Sequence, residues 1–367
     1  MDLFVCSSNY QLLNAIMVVK EYGIDADILV TRDSIWNECN LEVLTNAGIF
    51  QRAYKWTVLL EMLADEKIKK PIDKVKIQVK KIQLYSNKWK IWETLPNKEK
   101  KYQKIHIAYI DSITLWIYYY FKRYGAELSL FEDGTYSYGC LEVEKSFVRA
   151  VAERILYGGN GIDECTQMYV KHPEKVKQGR KLVKLLNIKG KADDRMLEDI
   201  LLPLFNSSKT AIDQFDRDVI IFDQNLELSD IKSAQKKIAK DTSDIFGKKN
   251  TIVKLHPSSR DVQYEDGVQT FSEKIPFELV LSYQSMDNRL LISIFSTACM
   301  SPKLDFDQEP YVIFTYKLFG DKFILNASYL DQIDQLRSSY RSKDRILVPE
   351  TMMEYSGMLK IIKEKIQ

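Results

Sequence analysis

Histidine is scarce in this chain: His106, His172 and His256 are the only three among 367 residues. That scarcity argues against a multi-histidine metal centre, which needs several imidazoles around one ion. The five cysteines (Cys6, Cys39, Cys140, Cys165 and Cys299) have no close paired spacing. Their scatter and odd number argue against a zinc site and for reduced thiols in a reducing compartment. No apolar run approaches the roughly 20 residues that cross a bilayer. The chain opens Met1-Asp2-Leu3-Phe4-Val5 without a basic leader, so a cytoplasmic location is expected. Neither sign of charge dominates: 53 basic and 51 acidic side chains leave a net +2, which demands no nucleic-acid partner. Gly-rich nucleotide loops and a Walker-type Gly-Lys-Ser/Thr are also missing. Asp305-Phe306-Asp307 has the spelling of a metal–diphosphate motif, but it sits in a polar loop after Pro302. No metal and no cofactor are therefore expected. A nucleotide donor with one phosphate, neutralised by side chains and helix ends, suits this inventory best.

What is present is a soluble α/β pattern. Hydrophobic residues make up 45% and charged residues 28%, enough for two domains with their own cores. Leu3–Cys6, Ala26–Val30, Ile105–Ile110 and Ala126–Phe131 read as short strands. Helical patterns fall at Tyr10–Glu21, Asp33–Asn46 and the aromatic-rich Ser112–Arg123. Strand–helix alternation of this length predicts a mainly parallel sheet covered on both faces, Rossmann-like rather than a barrel. A second domain is expected from residue 216, with strands at Asp218–Phe222, Leu290–Phe295, Tyr311–Thr315 and one running up to His256. The domains are thus 1–215 and 216–350, with a cleft between them as a natural ligand location. Helix 351–367 is expected to cross back to the first domain. Between residues 57 and 93 the rhythm breaks. Nine lysines at 67–90 fall among apolar residues and tryptophans, either as a solvated helix face or as a peripheral contact with anionic membrane.

Several strand exits carry groups suited to chemistry. Thr251-Ile252-Val253-Lys254-Leu255-His256-Pro257-Ser258-Ser259-Arg260 runs a buried strand into a basic turn, delivering Lys254, His256 and Arg260 to one place. Phe131-Glu132-Asp133-Gly134 puts two carboxylates on a tight turn, where one can accept a hydroxyl proton. Adjacent charges in a confined site raise one carboxyl pKa. Ile294-Phe295-Ser296-Thr297 ends a third strand with small hydroxyls that suit either a phosphate-facing helix start or a plain N-cap. Cys6-Ser7-Ser8-Asn9-Tyr10-Gln11 repeats that strand-exit pattern near the start. Lys171-His172-Pro173 is a second histidine–proline pair, with no partner element obvious in the sequence. His106 lies inside a strand and reads as a core histidine.

The acidic-acidic-glycine triplet Glu132-Asp133-Gly134, the pair His256-Pro257 and the pair Ser296-Thr297, in that order, resemble the bacterial sialyltransferases. The closest likeness is to the lipooligosaccharide sialyltransferase family, glycosyltransferase family 52. Leu202-Pro203-Leu204-Phe205-Asn206 and Ser7-Ser8-Asn9-Tyr10-Gln11 also look like family segments. The resemblance implies a GT-B-type fold and metal-independent, inverting transfer of sialic acid from CMP-sialic acid to a terminal sugar hydroxyl. Galactose on a bacterial surface glycan, lipid-linked or not, is the implied acceptor, and homodimerisation is a family trait. His256 would bind or protonate the departing phosphate. Asp133 matches the family's acidic motif and is the first candidate for the base. The family's other placement of the base, after the first strand of the second domain, falls on Asp223-Gln224-Asn225-Leu226-Glu227, where Glu227 and Asp223 are the carboxylates. Lys254, Pro257, Arg260, Ser296, Thr297, Asn225, Asn9 and Gln11 complete the expected binding residues. Two other readings remain open: a GT-B glycosyltransferase using another sugar nucleotide, and a polysaccharide assembly protein without turnover.

Overall fold

The computed structural model describes residues 1–57, 88–134, 136–142, 154, 159, 161–179, 181–188, 193–224, 229–256, 259, 264, 267–273, 275–322, 325 and 327–366. It divides into two compact units, Met1–Asn206 and Ser207–Gln367. The division precedes the expected boundary after residue 215. Phe215 explains the shift, because its ring packs on Phe271 and Phe277 of the second unit.

The first unit holds a seven-stranded sheet of β1 (Asp2–Cys6), β2 (Ala26–Val30), β3 (Ala53–Lys55), β4 (Lys104–Ile107), β5 (Glu127–Phe131), β6 (Cys165–Val170) and β7 (Lys184–Asn187). Every pairing is parallel and the order is β3-β2-β1-β4-β5-β6-β7. Helix α1 (Asn9–Tyr22) follows β1. Its N-cap Ser8 accepts the Gln11 N–H, and Gly23 closes it at φ 61°, returning its own N–H to the Val19 carbonyl. The expected helix at 33–46 is two short ones, Asp33–Glu38 and Glu42–Asn46. Helix α2 (Ser112–Lys122) starts on a capping box in which Asp111 accepts from the Thr114 N–H and Thr114 Oγ1 accepts from the Asp111 N–H. Its aromatic face closes the core over Leu3, Val5, Ile105, Ile107, Leu128 and Leu130. On the sheet's other face Phe4 of β1 stacks on His106 of β4, with ring centroids 4.2 Å apart. His106 Nε2 lies 2.9 Å from the Asp2 carboxylate, so this histidine is a paired core residue. Most of the basic stretch at 67–90 lies outside the described residues, which resume with the helix Lys88–Glu93.

The second unit repeats the arrangement. Its strands are β8 (Val219–Phe222), β9 (Thr251–Lys254), β10 (Gln269–Phe271), β11 (Leu290–Ser293), β12 (Tyr311–Phe314) and β13 (Ile346–Leu347). They are all parallel, in the order β10-β9-β8-β11-β12-β13. VIIF, TIVK, LLIS and YVIF are buried at every position, as parallel strands covered on both faces must be. One face packs on α3 (Ser229–Phe246). The other carries α4 (Phe277–Tyr283), whose Phe277 ring meets Phe222 at 4.8 Å. Helix α5 (Ser301–Phe306) follows the β11 exit. The C-terminal helix α6 (Met352–Ile366) buries Tyr355, Leu359 and Ile362 in this unit's core, and Tyr355 Oη lies 2.6 Å from Thr242 Oγ1 of α3. Within the second unit this helix packs on α3. Among the described residues no helix is long and apolar enough to cross a membrane.

Candidate functional site

In each sheet the strand order reverses direction beside its first strand, at β1/β4 and at β8/β11. Connections there leave toward opposite faces, so a crevice opens at the carboxyl ends of the strands and ligands settle in it. The described members of the sequence-predicted groups lie at these two edges, one edge in each unit.

At the first edge, Glu132 and Asp133 have different surroundings. Glu132 is 1% exposed and hydrogen-bonded on both carboxylate oxygens. Oε1 accepts from the Tyr10 hydroxyl at 3.2 Å, while Oε2 accepts from the Tyr138 hydroxyl at 2.9 Å and the Lys171 N–H at 2.6 Å. Its carbonyl accepts from Asn14 Nδ2 at 3.1 Å. A carboxylate so occupied ties β5, α1 and the β6 exit together. Asp133 instead has its backbone N–H fixed by Ser137 Oγ at 2.6 Å, while Gly134 turns the chain at φ 60°. The Asp133 side chain is hydrogen-bonded by Gln11 and feels Arg32 beyond β2. Gln11 cannot rotate away: its Oε1 accepts the Ser7 N–H at 2.7 Å and the Ser7 hydroxyl at 3.0 Å, so its amide N–H2 faces Asp133. Burial raises the Asp133 carboxyl above its usual range, with Gln11 and Arg32 opposing. The expected raised carboxyl is thus Asp133, but desolvation rather than the adjacent Glu132 charge is the leading cause. Asn9, the first residue of α1, accepts from the Cys39 thiol at 3.5 Å. Lys171 was not anticipated as part of this edge. Pairing of β5 with β6 brings it there, with Nζ 3.3 Å from the Tyr10 hydroxyl. Its neighbour His172 lies 3.2 Å from Glu174 Oε1.

At the second edge, Asp223 follows β8 and is almost fully buried. Oδ2 accepts the His256 N–H at 3.3 Å and the Ser259 hydroxyl at 2.6 Å, and Oδ1 accepts the Tyr264 hydroxyl at 2.8 Å. Asp223 therefore holds the turn after β9 in place. The next residue, Gln224, accepts the Phe295 N–H on Oε1 at 3.1 Å. The β8 exit thus braces both the His256 turn and the Ser296 turn. The two turns leave strands separated only by β8, so two strand spacings, about 10 Å, lie between them.

Lys254 ends β9 on the face covered by α4, with Nζ 5.9 Å from the Phe271 ring centroid. Burial lowers its pKa to about 8, partly offset by Glu278 of α4. Glu278 in turn accepts from the Ser301 hydroxyl at 2.8 Å, at the start of α5. Neither Glu278 nor Ser301 stands out in the sequence. The His256 pKa is also lowered, first by desolvation, with Lys254 adding to it and Asp223 opposing. Ser296 Oγ caps the turn Thr297–Cys299 through the Ala298 N–H at 3.3 Å, and the Ser296 N–H donates to Ser293 Oγ at 2.9 Å. The anticipated helix start is therefore a single 3-10 turn, which offers local N–H groups instead of a long helix dipole. Asn225, Glu227, Pro257 and Arg260 lie outside the described residues.

A carboxyl with a raised pKa, oriented by a fixed amide, can accept a proton from a hydroxyl. A lysine, an imidazole and a hydroxyl-bearing turn along one sheet edge can hold an anionic group. Two Rossmann-like domains carrying such edges define the GT-B glycosyltransferase architecture. Solved structures share that fold over the whole chain. Arabidopsis thaliana UGT89C1, solved with UDP-L-rhamnose, has a TM-score of 0.56 at 10% identity, covering 100% of this chain and 89% of its own. The calicheamicin glycosyltransferase CalG4 gives 0.50 at 11%, covering 100% and 91%. The Methanocaldococcus jannaschii UDP-GlcNAc 2-epimerase gives 0.50 at 9%, covering 100% and 92%. No curated protein matches the chain by sequence. The family model for glycosyltransferase family 52 matches residues 50–316. The chain belongs to that family.

Proposed function

We propose that the protein is a metal-independent, inverting sialyltransferase. It moves sialic acid from CMP-sialic acid to a hydroxyl of a terminal galactose on a bacterial surface glycan. Asp133 is the base: it takes the acceptor hydroxyl proton as that oxygen attacks the anomeric carbon. The bond to the phosphate oxygen breaks in the same displacement, and CMP leaves with the electron pair. His256 and the Ser296–Thr297 turn meet the developing phosphate charge, with Lys254 supplying positive charge behind them. Supporting this reading most directly is the contrast at the first edge of a family 52 chain. Glu132 is saturated with hydrogen bonds, while Asp133 is oriented by Gln11 and has a raised pKa. Synthesis takes place in the cytoplasm, where a lipid-linked acceptor would place the enzyme at the inner membrane surface.

The deciding experiment incubates the protein with CMP-sialic acid and lactose without divalent metal, followed by mass spectrometry of the products. Sialyl-lactose and CMP are expected, and His256→Ala should lower the rate by about 10²-fold or more while melting within a few degrees of wild type. Product from a different sugar nucleotide but not from CMP-sialic acid would replace the donor in this scheme. Absence of turnover with every donor would leave an assembly role.

A further inference from the structure

Tyr109 is large, aromatic and 42% exposed, yet its backbone is hydrogen-bonded and its ring packed. It lies just beyond the end of β4. Its carbonyl accepts the Thr114 hydroxyl at 2.9 Å, and Thr114 also belongs to the capping box that starts α2. The Tyr109 ring packs beside Tyr136, with centroids 4.5 Å apart and planes at 44°. Tyr136 is anchored in turn: its core-facing side packs against the first unit's core, and the next residue, Ser137, binds the Asp133 backbone N–H at 2.6 Å. The Tyr109 hydroxyl makes no hydrogen bond among the described residues. Because β4 and β5 are adjacent, this aromatic pair and Asp133 emerge from neighbouring strands.

Folding gains little from a half-exposed ring, and a ring kept rigid binds without losing rotamer freedom. Its open face is apolar and its hydroxyl can donate or accept. A pyranose such as galactose presents a matching surface, with C–H groups on one face and hydroxyls around the rim. We propose that Tyr109, backed by Tyr136, is the acceptor-sugar platform, stacking on the terminal galactose so that its reacting hydroxyl faces Asp133. The inference rests on the transferase reading above and adds to it the residues that select the acceptor.

The test measures the acceptor KM for lactose, the donor KM, and CMP release without acceptor, in wild type, Tyr109→Ala, Tyr109→Phe and Tyr109→Trp. Tyr109→Ala is expected to raise the acceptor KM about tenfold, the size of one aromatic stacking contact. The donor KM and acceptor-free CMP release should stay within twofold. Tyr109→Phe and Tyr109→Trp should hold the acceptor KM within about threefold of wild type. An unchanged acceptor KM in Tyr109→Ala overturns the platform, as does a rise in the donor KM, which would place the nucleotide on the ring. Saturation-transfer NMR with lactose keeps the two proposals apart, because it needs no turnover. Lactose signals that vanish in Tyr109→Ala support the platform even if wild type fails to use CMP-sialic acid. Lactose signals that persist in that variant reject it.

Discussion

The carboxyl edges of the two sheets are built on the same plan. Each has a buried carboxylate just past a strand end, Glu132 after β5 and Asp223 after β8, with hydrogen bonds on both oxygens. In each case it fixes the backbone beside a group of different chemistry: Asp133 at the first edge, His256 at the second. A fully hydrogen-bonded carboxylate is costly to move, so it serves as a brace for the residue beside it. The neighbours then diverge. Burial leaves Asp133 a readier proton acceptor near neutral pH, while Lys254, His256 and the Ser296 turn make the second edge suited to an anion. In the proposed reaction one edge handles a proton and the other a departing charge.

That division of labour is broken most directly by exchanging the carboxylates' roles in experiment. Asp133→Asn keeps the shape and the Gln11 contact but cannot accept a proton, so the transfer rate should fall by 10²- to 10⁴-fold, roughly the contribution of a general base. The donor KM should move little. In wild type the acid limb of kcat/KM should lie above the ordinary carboxylate range, because Asp133 must be ionised and its pKa is raised. Asp223→Asn should lower the melting temperature as well as the rate, since it disturbs the bonds to Ser259 and Tyr264. A rate loss in Asp223→Asn larger than in Asp133→Asn, at unchanged stability, would move the base to the second edge.

Lys254 gives a smaller effect with a definite pH signature. Its folded pKa of about 8 lies below the ordinary 10.5. Between those values the unfolded chain holds more protons, so wild-type stability rises with pH across that window, and below pH 8 the full cost of the buried charge remains. Lys254→Met removes the titration. Its stability relative to wild type should therefore fall by on the order of 3 kcal/mol from pH 7.5 to pH 10.5, as read from urea melts. A difference that stays flat with pH would show that Lys254 has an ordinary pKa and reaches water.

Most buried strands were legible because parallel strands covered on both faces are continuous apolar runs, as in VIIF and YVIF; β6 (CTQMYV), with Thr166 and Gln167 interrupting its apolar run, was not. The edge strands β3, β7, β10 and β13 were not: they span two to four residues and are partly exposed, so no periodicity marks them. Asp133, Gln11, His256, Lys254 and Ser296 could be picked out because each follows a readable strand. Which carboxylate is structural could not, since Glu132 is defined by Tyr10, Tyr138 and Lys171, brought from three different segments. Lys171 was passed over beside a histidine–proline pair because only the β5–β6 pairing carries it to the acidic turn. The domain boundary slipped for a similar reason, as Phe215 belongs to the core it packs in rather than to the polar segment it follows.

The finest test of the comparison is Glu132→Gln. The amide keeps the size of the side chain, but one of its two ends becomes a donor facing groups that already donate. Oε2 accepts both the Tyr138 hydroxyl and the Lys171 N–H, and the backbone N–H cannot turn away, so the amide oxygen must stay there. The N–H2 then meets Tyr10, whose hydroxyl can rotate to accept. One charge-assisted bond is lost and another inverted, so stability should fall by about 1–2 kcal/mol in chemical melts. The transfer rate per folded molecule should stay within about threefold, because Asp133 keeps its Gln11 contact and its Ser137 anchor. Glu132→Ala should add several degrees of further destabilisation and loosen the β6 exit, visible as faster amide exchange at Lys171. If instead Glu132→Gln abolishes transfer while its melt is unchanged, the brace and the base have been assigned to the wrong members of the pair.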